Sequence, residues 1–60
     1  MRGKYQVIAR YTDGVAKFWI GRKQDRDLPL GDDNIEWLME GKTPAVFDEY
    51  RDADDRVKAS

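Results

Sequence analysis

The sequence predicts a small α+β domain in which an N-terminal β-hairpin packs against two short C-terminal helices, in the order ββαα. Three observations predict it: an Asp13-Gly14 pair between two alternating, β-rich runs, a capping-box pattern at Asp33-Asn34-Ile35-Glu36, and a Thr43-Pro44 start signal ahead of an apolar stripe. A variant order, ββαβα, follows if Ala45-Val46-Phe47 forms a short third strand near 45–47 instead of helix.

The hairpin rests on the strongest local signal in the chain. Lys4 to Thr12 and Val15 to Lys23 alternate in polarity, and Asp-Gly suits a type I′ turn because both of its positions need positive φ. A two-residue turn sets the register: Thr12 faces Val15, Tyr11 faces Ala16, Ala9 faces Phe18 and Val7 faces Ile20. One side of the ribbon then carries Tyr5, Val7, Ala9, Tyr11, Ala16, Phe18 and Ile20, a core face. The other carries Lys4, Gln6, Ile8, Arg10, Thr12, Val15, Lys17, Trp19 and Lys23, a basic face with an apolar island where Ile8 opposes Trp19.

Gln24 to Gly31 reads as a loop that offers Leu28 and Leu30 to the core. Asp33 then caps a helix that runs to Glu40, with Glu36 reaching back and Gly41 ending it. Ile35, Leu38 and Met39 share a face of this helix, and Trp37 lies nearly opposite. Thr43 as N-cap and Pro44 at the first helical position start the second helix, from Ala45 to about Lys58. Val46, Phe47, Tyr50, Ala53 and Val57 form its apolar stripe. Asp48, Asp52 and Asp55 lie on its other side, a candidate acidic contact surface, and Asp48–Arg51, Asp52–Arg56 and Asp54–Lys58 are spaced for intrahelical pairs.

Sixty residues make one small domain, 1–60, with a thin core and marginal stability. No cysteine is present, so no disulfide braces it and no thiolate holds a metal. Oligomerisation is another route by which so small a core is stabilised. No run approaches a membrane span, and the N-terminal MRGKYQVIARY lacks a signal-peptide apolar region, so the expectation is a cytoplasmic protein.

Enzymatic chemistry finds little support. No histidine is present to act as base, and the Ser and Thr hydroxyls (Thr12, Thr43, Ser60) have nothing to activate them. Asp25, Asp27, Asp32 and Asp33 are oxygen ligands of the kind Ca²⁺ takes, but their spacing is not that of an EF-hand, and helix capping and solvation account for them. No cofactor or metal is expected.

Charge is split along the chain. Residues 1–31 hold seven bases and three acids, a net of +4, and residues 32–60 hold four bases and nine acids, a net of −5. Charge of this kind bears on partners rather than on fold. The expectation is a non-enzymatic module that binds another protein as an inhibitor or regulator, through Ile8, Arg10, Lys17, Trp19 and Trp37. The same face could serve a homodimer. The competing class is nucleic-acid binding, with Lys4, Arg10, Lys17 and Lys23 for phosphates and Trp19 as a stacking platform. The chain as a whole is slightly acidic, which weighs against that class. Compact, cysteine-free, acidic-tailed chains of this length resemble phage or mobile-element accessory proteins in type, and that resemblance implies a regulatory role.

Overall fold

A seven-residue and an eight-residue strand, joined by the tightest of turns, are the frame on which everything else is hung. The computed structural model describes residues 2–59. Strand β1 (Gln6–Thr12) and strand β2 (Val15–Arg22) pair antiparallel in the register the turn demands, with Thr12 opposite Val15, Ala9 opposite Phe18 and Val7 opposite Ile20. Asp13 and Gly14 both take positive φ, 53° and 79°, as a type I′ turn requires.

Two helices were expected after the hairpin, and the described residues form one. Residues 33–40 contain β3 (Glu36–Trp37) and β4 (Met39–Glu40) rather than a helix. Ile35-Glu36-Trp37-Leu38 is rich in β-branched and aromatic side chains, and an eight-residue helix is marginal without a face to pack. Pairing with the open edge of β2 wins: Trp37 lies opposite Gly21 and Glu36 opposite Arg22. Glu36 therefore does not reach back to cap anything. It pairs with Arg22, and its other oxygen lies 3.5 Å from Arg2.

The second helix starts later than expected. Thr43 and Pro44 form β5 (Thr43–Pro44), which pairs with β4 around a Gly41-Lys42 turn, Gly41 having φ 68°. Gly41 is thus a hairpin-turn residue rather than a helix terminator. Strand β6 (Val46–Phe47) returns to the large sheet, with Val46 opposite Trp19 and Phe47 opposite Phe18. The third strand near 45–47 is therefore present, but neither ββαα nor ββαβα fits described residues that form a single helix. That helix, α1 (Tyr50–Ala59), opens where the Glu49 carbonyl accepts the Ala53 N–H. It runs through Lys58 to Ala59; Ser60 lies outside the described residues.

Strands β3 and β6 lie end to end along the same edge of β2, because β1 occupies the other edge. Extending the two registers by one residue puts both Leu38 and Ala45 opposite Ile20. Leu38 N–H donates to the Ile20 carbonyl at 2.8 Å, and Ala45 N–H donates to the Leu38 carbonyl at 2.9 Å. The third strand is thus interrupted at Ile20, and the β4–β5 hairpin is extruded from the gap. The core is centred there: Ile20, Ala45 and Ala53 are the buried apolar side chains.

Helix α1 covers the face that carries Val7, Phe18, Ile20 and Phe47. Tyr50 meets Phe18 edge to face, with ring centroids 5.9 Å apart. Ten helical residues span about 15 Å, while the hairpin strands span about 25 Å, so a single helix cannot cover the ribbon. Tyr11, expected in the core, is consequently 79% exposed near the hairpin tip, and Ala9 is exposed as well.

The 24–34 loop is organised by one buried side chain. Asn34 accepts the Asp25 N–H at Oδ1 (2.9 Å) and donates from Nδ2 to the carbonyls of Asp25 (2.9 Å), Pro29 (3.1 Å) and Leu28 (3.3 Å). Leu28 and Leu30, expected to reach the core, are exposed on this loop. No helix among the described residues is long and apolar enough to cross a membrane.

Candidate functional site

The face of the sheet away from α1 is a grid of three rows, set by the strand registers. The middle row is Ile8, Trp19 and Val46. Below it lie Gln6, Gly21 and Trp37. Above it Arg10 faces Lys17, and the β2–β6 register continued by one residue brings Asp48 opposite Lys17. The structure therefore brings Ile8, Arg10, Lys17, Trp19 and Trp37 to one face. For Trp37 this happens through a strand and not through the outer side of a helix.

Gly21 makes the aromatic part of the face possible. A Cβ at this position would lie 3.1 Å from Ile35 Cγ2, 3.2 Å from Ile8 Cδ1 and 3.3 Å from Trp37 Cε3. The Trp37 ring thus leans across the glycine towards β1. There the Arg10 guanidinium lies 5.2 Å from the ring centroid, a cation–π contact, and 3.5 Å from the Asp32 carboxylate. A glycine inside a strand often marks such a close approach. Gly21→Val is expected to destabilise the fold by about 2 kcal/mol through overpacking. Urea denaturation checks this, and a red shift of the native tryptophan emission should report the displaced Trp37 ring.

Ile8, Lys17, Trp19 and Trp37 are half-buried, and Arg10 and Val46 are exposed. Val46, at 50% exposure, extends the apolar patch beyond Trp19. It was not expected on this face, because a helical reading of 45–58 puts it elsewhere. Two cations of the face are not bare: Lys17 pairs with Asp48, and Arg10 with Asp32 and Trp37.

The acidic row foreseen on the second helix does not form as a row. Asp48 precedes α1 and turns to Lys17, so Asp48–Arg51 is not an intrahelical pair, while Asp52 and Asp55 remain exposed on α1. Asp54–Lys58 does form, at 3.1 Å. The Asp54 carboxylate, by hydrogen bond first and by charge second, holds the Lys58 ammonium above its ordinary value of 10.5. A raised lysine stabilises the fold fully below pH 10.5, and that contribution is lost as pH rises through the folded value. The melting temperature should therefore fall slightly above pH 10.5, and less so in Lys58→Met.

The loop carboxylates do not converge. Asp25 Oδ1 accepts the Asp27 N–H at 3.0 Å, an Asx-type turn, and Asp32 points to Arg10. No group of three or more candidate metal ligands gathers among the described residues. No family model, no curated protein and no solved structure matches the chain.

Proposed function

We propose that this protein is a non-enzymatic interaction module that binds another protein through the Ile8–Trp19–Val46–Trp37 face, as an inhibitor or regulator. One observation carries the reading. The face presents half-buried aromatic side chains on a sheet, while two of its cations, Lys17 and Arg10, already hold carboxylates of their own chain. Large aromatic groups are the usual anchors of protein interfaces. Charges paired at the rim contribute to orientation and association rate more than to affinity. A nucleic-acid surface needs cations free to neutralise phosphates. Here Asp48 and Asp32 stand beside Lys17 and Arg10, where a phosphate would have to sit. The proposed setting is the cytoplasm; a chain without cysteine lacks the disulfide bracing of most small extracellular domains.

The discriminating experiment is a titration with mixed-sequence single- and double-stranded DNA and RNA, read by tryptophan fluorescence at low and moderate salt. The expected result is no saturable quenching even at low salt, where charges are least screened. Tight binding that collapses as salt rises would overturn the protein-binding reading and make Arg10, Lys17 and Trp19 a nucleic-acid site.

A further inference from the structure

We infer that the outer edge of β1 pairs antiparallel with β1 of a second copy, making one sheet that runs through a two-fold dimer. The register locates the free groups. Thr12, Arg10, Ile8 and Gln6 face Val15, Lys17, Trp19 and Gly21, and a two-residue turn makes these the hydrogen-bonded pairs. The Ile20 carbonyl confirms the phase, since it accepts from Leu38 on the side away from β1. The N–H and C=O groups of Val7, Ala9 and Tyr11 therefore point outward. Among the described residues no backbone group pairs with them.

This edge lacks the usual safeguards against pairing. Its register runs without a bulge from Gln6 to Thr12, it contains no proline, and its one charged side chain is Arg10. Arg10 is held by Asp32 and Trp37 of its own chain, so pairing does not force two bare cations together. The centre of the strand is Ala9, which is small and exposed. A two-fold axis there sets Ala9 against Ala9 of the second copy and Val7 against Tyr11 of the second copy. Two bonds at each of the three resulting pairs give six main-chain hydrogen bonds. Tyr11, 79% exposed in a single chain, would then lie beside Val7 on the face that α1 covers.

The size of the surface points the same way. The chain exposes 4649 Å², whereas a compact monomer of 7.0 kDa exposes about 4,000 Å². Its radius of gyration is 11.5 Å against roughly 10.4 Å for a compact domain of this length. The surplus, about 600 Å², approaches the roughly 800 Å² each partner buries in a standard interface. The dimer would also set the two Trp19-bearing faces side by side on one continuous sheet.

Light scattering or sedimentation should give a mass of 2 × 7.0 = 14.0 kDa for the wild-type protein. Ala9→Glu and Ala9→Lys each place like charges directly opposite one another at the axis, so each alone should be monomeric. Their equimolar mixture should recover the dimer as a heterodimer. In the wild type, the amide protons of Val7, Ala9 and Tyr11 should gain exchange protection as concentration rises. A monomer mass at all concentrations, a dimer that persists unchanged in both Ala9 variants, or fast exchange of those three protons in a sample with dimer mass would each overturn the inference. The exchange measurement needs no substitution, so it decides the matter even if a variant fails to fold.

Discussion

Ile20→Ala is expected to destabilise the protein by about 3 kcal/mol. Ile20 is fully buried and is the largest side chain so enclosed. It packs where the third strand breaks, with Leu38 and Ala45 both opposite it, so a truncation there opens a cavity between the sheet and α1. A 60-residue domain has a total stability of roughly 3–9 kcal/mol, so the loss is a large fraction of the whole. Urea unfolding followed by circular dichroism measures it. A loss below about 1 kcal/mol would mean that the core is not centred on this residue. Ile20→Val, which removes one methylene, should cost about 1 kcal/mol.

Asn34→Ala should cost about 2–3 kcal/mol by a different route. Its amide replaces water for the Asp25 N–H and for the carbonyls of Asp25, Leu28 and Pro29, and the side chain is only 7% exposed. Removing one partner of a buried bond strands the other, at about 1–3 kcal/mol each, although the loop's exposure lets water recover part of this. Asn34→Asp keeps the acceptor and loses the donor, and it points a carboxylate at three carbonyl oxygens. It should therefore be nearly as damaging as Asn34→Ala, whereas a purely steric role would make it almost silent. Hydrogen exchange should show the 24–34 loop opening in both variants while the β1–β2 hairpin stays protected. Asp32 is carried by this loop, so Arg10 should also lose its carboxylate partner.

The parts of this fold that were legible in the sequence are those decided locally. Asp13-Gly14 settles its turn through backbone conformation alone, and the turn settles seven cross-strand pairs, including Ile8 with Trp19 and Arg10 with Lys17. The parts that misled are those where a local signal competes with a vacant sheet edge. Asp33-Asn34-Ile35-Glu36 has the letters of a capping box, but Asn34 is drawn inward by four loop hydrogen bonds and Glu36 by Arg22. Thr43-Pro44 has the letters of a helix start, but both residues close a hairpin with Glu40 and Met39. The clue left unread was Gly21. A glycine near the end of a strand asks what lies over it, and here Ile35, Ile8 and the Trp37 ring do. That one contact turns Trp37 from a helix surface residue into a member of the Trp19 face.

The aromatic face is proposed to hold a protein partner. The most direct test compares wild-type protein with Trp19→Ala as baits in extracts of the source cell, quantified by mass spectrometry, after matching their melting temperatures. Truncating a central aromatic anchor costs about 2 kcal/mol or more, close to 30-fold in affinity. The expected result is a protein that wild type enriches reproducibly, that Trp19→Ala loses, and that binds the purified wild-type chain with only modest salt dependence. A partner captured equally well by both chains would overturn this reading and move the interaction off this face.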